Sequence, residues 1–300
     1  MNDIAPATRE DLQSFTPEHE TFVGIDSDGC VFDSMEIKQK ACFHPLIIQH
    51  WNLGAVDELV RETASFVNLY SKGRGVNRFV ALLSVFDLLA ARPEVRSAGV
   101  ALPDMTDLQQ MVNSGAELSN EGLRRHIDRT GSDVLASLYD WSLAVNHKVA
   151  DTAQGIPPFE YARKSLARIR ATSDAVCVSQ TPTEALIREW HENAIDGEVR
   201  LIAGQELGTK QEHLLMATEG RYAEGKVLMI GDAPGDRKAA VGAGALFYPI
   251  DPGNENESWR CFHEEAYDRF LAGTYAGTYE AERIEGFEAL LPEHPPWDTV

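Results

Sequence analysis

Three features of the sequence predict an α/β protein with a parallel sheet and an all-helical segment inserted into it. Residues Phe22 to Ile25 form a short apolar run that ends in two acids, Asp26 and Asp28, with Gly29 behind them. A buried parallel strand reads this way, and open α/β sheets bind ligands at the carboxyl ends of their strands. From residue 156 onward, apolar runs of strand length alternate with helical periods, the pattern of a parallel sheet wrapped by helices. Between these regions, residues 36–155 carry helical periodicity almost throughout. The predicted organisation is therefore a sheet domain made of residues 1–35 and 156–300, interrupted by a helical domain of residues 36–155.

Length and composition agree with this. The 300 residues exceed the usual single-core size, and 43% hydrophobic with 25% charged residues is globular content. Lysine and arginine total 27 against 47 acids, a formal charge of −20. Such a surface repels phosphate backbones and anionic lipid, so neither nucleic acid nor membrane is an expected partner. Cys30, Cys42, Cys177 and Cys261 are widely spaced and follow no metal or redox pairing pattern. They read as reduced thiols of a cytoplasmic protein. The first twenty residues are too polar for a signal peptide, and no apolar run reaches membrane-spanning length.

In chain order, those first twenty residues form a polar lead-in that packs in part on the core. The strand Phe22 to Ile25 follows. In the insert, Val56, Leu59, Val60, Phe66, Val67 and Tyr70 fall near a helical period. The run Arg78 to Ala91 is apolar nearly all round and belongs at the centre of a bundle. Ser132 is placed to cap a helix carrying Leu135, Leu138, Tyr139 and Val145. Gly155, Pro157 and Pro158 then stop the helical pattern and make a return linker. After it come helix Tyr161 to Ala171, strand Ala175 to Ser179, helix Thr183 to His191 and strand Val199 to Ala203. Helix Lys210 to Thr218, strand Lys226 to Asp232, helix Asp236 to Ala243 and a last strand ending at Ile250 complete the alternation. The acidic end, with Ile284, Phe287, Leu290 and Leu291, reads as a docked helix.

Polar residues of one chemical purpose gather at these strand ends. Asp26 is placed to act as a nucleophile, and Asp28 as proton donor and acceptor. Ser179 and Gln180 close the second strand, Lys210 opens a helix after the turn GQELGTK, and Asp232 and Asp236 flank the turn GDAPGD. A phosphoryl-transfer site built on an aspartate needs a lysine and a hard cation to neutralise oxygens, a hydroxyl to hold them and acids to bind the metal. Oxygen ligands of this kind suit Mg2+. Taken singly, each element also fits a turn, a helix cap or a solvated lysine. Their order and their shared place at strand ends argue for the site.

In that order the motifs resemble those of the haloacid-dehalogenase (HAD) superfamily of aspartate-nucleophile hydrolases. The stretch DSDGCVFDS resembles the first motif, VCVSQTP the second through Ser179, Lys210 the third, and GDAPGD the fourth. The resemblance implies a Rossmann-like α/β core with an inserted α-helical cap domain, since one large subgroup carries its cap between the first and second motifs. It also implies Asp26, Asp28, Ser179, Lys210 and Asp236 as catalytic residues, and Asp26, Asp28 and Asp232 as Mg2+ ligands, Asp28 through its main-chain carbonyl. Cys30 stands where the family usually has Thr, and Ser27 where an apolar residue is common. The presence of Asp28 favours phosphate esters over dehalogenation, which lacks that acid.

The insert is expected to carry specificity. Lys72, Arg74 and Arg78 cluster around two glycines in YSKGRGVNRF, and arginine can engage an anion bidentately. The segment GVNR resembles the Gly-x-x-Arg of cap loops in some phosphomutases of the family. Arg74, Asn77 and Arg78, together with Gln180, are therefore candidate substrate-binding residues, although a solvated loop before a helix has the same letters. The expected activity is a Mg2+-dependent phosphatase acting on a small phosphorylated metabolite through an aspartyl-phosphate. A sugar phosphomutase of the same fold and a non-catalytic phosphate-ligand-binding protein are the alternatives.

Overall fold

The computed structural model describes residues 6–298, and its sheet has five strands, all parallel. They are β1 (Phe22–Ile25), β2 (Asp174–Val178), β3 (Leu201–Ala203), β4 (Val227–Gly231) and β5 (Leu246–Pro249). Their order is β3-β2-β1-β4-β5, which places β1 at the centre. The order reverses direction at β1, and such a switch point opens a crevice beyond the carboxyl ends of the strands. Ile25 is level with Cys177 on β2 and with Ile230 on β4. The residues that leave β1, β2 and β4 therefore emerge side by side. Every residue of β1, β2 and β4 is buried, which explains why, apart from Asp174 at the start of β2, these strands read as apolar runs.

The chain divides into two compact units. One extends through Met35 and resumes at Gly155–Pro292; the other is Glu36–Gln154 together with the segment from Glu293 onward. The first unit holds the sheet and packs Phe22, Val176, Met229 and Phe247 against Leu214, Ala240 and Phe287 from its helices. Gly24 lets the helix Lys210–Thr218 approach the sheet, since a Cβ there would lie 2.6 Å from a Leu214 methyl. The lead-in is more ordered than its polarity suggests. Thr8 and Asp11 form a capping box on helix Arg9–Gln13, Leu12 and Phe15 are buried, and the Glu18 and His19 amides donate to Asp174 at 3.0 Å each. Its first five residues lie outside the described part.

The second unit is a helical bundle around Leu82, Phe86, Leu89, Leu135, Leu138 and Trp141. Helix Arg78–Ala91 spans the residues expected, and Ser132 caps helix Asp133–Thr152 by accepting from the Leu135 amide. The tail departs from the sequence reading, which gave residues through 300 to the sheet domain. From Glu293 it belongs to the helical unit, where the Trp297 ring lies 5.6 Å from that of Phe66 and 4.4 Å from the Arg92 guanidinium. Two further helices, Glu255–Cys261 and Tyr267–Leu271, joined by a π-helical turn, follow β5 and have no counterpart in the sequence reading. No described helix is long and apolar enough to cross a membrane.

Candidate active site

Asp26 leaves β1 with its amide donating to the Ile230 carbonyl at 3.0 Å, and it is 4% exposed. The chain then turns sharply. The Ser27 carbonyl accepts from the Val31 amide at 2.8 Å, and Gly29 has φ of 78°, a left-handed value that a side chain would strain. Two buried tryptophans hold this turn from outside. The Trp190 indole donates to Ser27 Oγ at 3.0 Å, and the Trp259 indole donates to the Cys30 carbonyl at 2.7 Å.

Beside Asp26, Lys210 opens its helix at a point fixed by a capping box between Thr209 and Glu212. Lys210 Nζ lies 2.8 Å from Asp26 Oδ2 and 2.5 Å from Asp236 Oδ1. The other Asp236 oxygen accepts from the amides of Asp232 and Ala233, both at 3.0 Å. Gly231 makes this fold-back possible, because a Cβ there would sit 2.4 Å from Asp236 Cβ. Asp232 is 1% exposed, and carboxylate oxygens from Asp26, Asp232 and Asp236 all lie within 4.8 Å of one another.

The charges in this cluster conflict. Burial pushes the Asp26 carboxyl well above the usual carboxylate range; Lys210 works against this, while Asp236 and Asp232 add to it. Burial also acts against the Lys210 ammonium, but Asp236 and Asp26 more than offset it and keep the group charged. Three carboxylates around one ammonium leave net negative charge, in an all-oxygen setting that fits a divalent hard cation. A cation placed there would oppose the upward push on Asp26.

Asp28 is half-buried. One carboxylate oxygen accepts from the Ser34 hydroxyl, and the other accepts from Thr181 Oγ1 at 2.6 Å. Ser179, 2% exposed at the end of β2, accepts from the Thr181 amide at 3.2 Å. Gln180 reaches across to the Gly208 carbonyl at 2.9 Å and so ties the end of β2 to the turn before Lys210. The Cys30 thiol points to the Ile230 carbonyl at 3.8 Å, and burial raises the pKa of both Cys30 and Cys177, which makes them poor nucleophiles.

Arg74, Asn77 and Arg78 belong to the helical unit. Arg74 is 2% exposed and donates to the Leu69 carbonyl. Asn77 caps helix Arg78–Ala91 through the Phe79 amide and donates to the Leu118 carbonyl. Arg78 donates to Ser142 Oγ at 3.2 Å and Asn146 Oδ1 at 2.7 Å, lies over the Phe43 ring, and among the described residues has no carboxylate partner.

Thus Asp26, Lys210, Asp232 and Asp236 form one contact cluster, and Asp28 is linked to Ser179 through Thr181. The sequence reading did not single out Thr181, Ser34, Trp190, Trp259 or Gly231. Thr181 carried a faint signal as a second hydroxyl two residues beyond Ser179; the tryptophans carried none.

Comparison with protein-family models and with curated proteins gives no match. Among solved structures, the chain is similar to a haloacid dehalogenase-like hydrolase from Bacteroides fragilis, with 14% identity and a TM-score of 0.46 over 79% of this chain and 92% of that one. A predicted phosphoglycolate phosphatase from Haemophilus somnus 129pt gives 13% identity and a TM-score of 0.45 over 79% and 87%. A haloacid dehalogenase-like family hydrolase from Streptococcus pneumoniae gives 14% identity and a TM-score of 0.41 over 81% and 90%. At 13–14% identity these are likenesses of fold alone.

Proposed function

We propose that this protein is a Mg2+-dependent phosphatase of the HAD type, acting on a small phosphorylated metabolite through an aspartyl-phosphate on Asp26. The observation that carries the reading is the contact of Lys210 with Asp26 at 2.8 Å, inside a buried cluster completed by Asp232 and Asp236. A scaffold has no use for three buried acids around one lysine, because desolvating them is costly unless a ligand compensates.

In the proposed reaction an Asp26 oxygen attacks phosphorus and the ester P–O bond breaks, while Asp28 gives its proton to the departing oxygen. Water then attacks the aspartyl-phosphate as Asp28 takes a proton from it. The P–O bond to Asp26 breaks, inorganic phosphate leaves, and the carboxylate is restored. Lys210 faces charge on the phosphoryl oxygens, and Ser179 supplies a hydroxyl to them. Asp26 and Asp232 would hold Mg2+, with Asp28 contributing its main-chain carbonyl, since its carboxylate is bonded to two hydroxyls; Asp236 orients Lys210 and the loop. The cation supplies Lewis-acid neutralisation of phosphoryl charge.

Arg78, for which the described residues offer only neutral acceptors, supports an anionic substrate; the same feature is what a phosphomutase would use to hold a second anionic group. The four cysteines are free thiols, which suits the cytoplasm.

The test is a panel of phosphorylated metabolites incubated with Mg2+, following free phosphate and isomeric products together. Phosphate release that stops with chelator and returns with Mg2+ is expected. Isomer formation with little free phosphate identifies a mutase, and inactivity across the panel removes both readings.

A further inference from the structure

The turn that carries Asp28 includes a left-handed glycine, and Asp28 itself is half-buried. Its carboxylate accepts from two hydroxyls, Ser34 from the next helix and Thr181 from the loop after β2. Thr181 is itself fixed on both sides. Its amide donates to Ser179 Oγ at 3.2 Å, its carbonyl accepts from the Gln205 amide at 3.1 Å, and Pro182 follows directly. Its hydroxyl proton is committed to Asp28 Oδ2 at 2.6 Å, so this short loop links the phosphoryl-binding serine to the acid that handles protons.

We infer that Thr181 is a positioning residue that holds Asp28 in the orientation needed to protonate the departing oxygen. The inference rests on the phosphatase reading above. Proton transfer demands that donor and acceptor oxygens meet within hydrogen-bond reach, and a side chain free to rotate meets that condition only part of the time. Thr181 therefore acts through Asp28, on the proton given to the leaving oxygen and on the one taken from water, and kcat/KM reads the first of these; among the described residues it makes no hydrogen bond to Asp26, Lys210, Asp232 or Asp236.

The experiment compares wild type, Thr181→Val, Thr181→Ser and Asp28→Asn on two esters with Mg2+: an alkyl phosphate, whose leaving oxygen needs a proton, and p-nitrophenyl phosphate, whose leaving group does not. For Thr181→Val, kcat/KM on the alkyl ester should fall about tenfold or more while that on the aryl ester changes less than about threefold, the same direction of split as Asp28→Asn. Thr181→Ser should return the alkyl value to within about threefold of wild type, because the hydroxyl is restored. An equal loss on both esters, or no loss on either, overturns the inference, as does a crystal structure of Thr181→Val with Asp28 unmoved. A wild type that hydrolyses neither ester removes the phosphatase reading and this inference together, a result distinct from either pattern among the variants.

Discussion

Asp26 and Asp28 lie two positions apart yet meet different surroundings. Asp26 is enclosed, contacts an ammonium and has two further acids beside it, whereas Asp28 is half-buried and hydrogen-bonded by hydroxyls. That difference suits a nucleophile and a proton carrier. Asp26→Asn keeps the shape and removes the attacking charge, so phosphate release should vanish while the circular-dichroism spectrum and thermal midpoint stay near wild type. Asp28→Asn should lose about 10²–10⁴-fold in turnover on an alkyl phosphate, whose leaving oxygen then lacks its proton donor. Full turnover by folded Asp26→Asn would exclude the covalent mechanism. Gly231 belongs to the same scale, because its missing side chain is the space that Asp236 occupies.

At the scale of elements, the site depends on where helices begin. The Thr209 capping box fixes the first turn that carries Lys210, and the Trp259 indole, from a helix after β5, fixes the turn behind Asp28. In the helical unit, the tail lays Trp297 between the Phe66 ring and the buried Arg92, whose guanidinium also pairs with Glu62 at 2.7 Å. Trp297→Ala removes an aromatic contact and a cation–π contact, so it should destabilise the protein by about 1–3 kcal/mol in chemical denaturation. If the denaturation midpoint of Trp297→Ala equals that of wild type, the tail is only resting on the helical unit.

The whole molecule should lose stability in mild acid, and two histidines make that specific. His213 in the sheet unit and His44 in the helical unit are buried, and burial lowers each from the ordinary 6.5 to about 4. The unfolded chain therefore takes up these protons near pH 6.5, while the folded chain resists them until near pH 4. Each histidine's contribution is complete above the unfolded value and is lost as pH falls between the two. At pH 5 each should contribute about 2 kcal/mol less than at pH 7. Denaturation of wild type, His44→Leu and His213→Leu at both pH values checks this: each variant should lose less on acidification than wild type, and an unchanged pH dependence would show that neither histidine is responsible.

The parallel sheet and the residues at its strand ends were legible in the sequence because buried strands are apolar without interruption and the acids follow them at once. Asp26, Ser179 and Asp232 each come directly after such a run, so local pattern was enough to find them. Helix Lys210–Thr218 was legible from the glycine-containing turn GQELGTK that it follows, while its capping box appeared only in the structure. What periodicity could not supply was pairing across long separations. Thr181 meets Asp28 over 153 positions and Trp259 meets Cys30 over 229. Trp297 joins the helical unit although its neighbours in sequence follow the last helix of the sheet unit. By itself, then, the sequence determined the α/β class and the chemistry offered at the strand ends. Only the tertiary structure decided which hydroxyls hold Asp28, which indoles hold the turn and where the tail packs, because those choices depend on which surfaces meet once the sheet order β3-β2-β1-β4-β5 is formed.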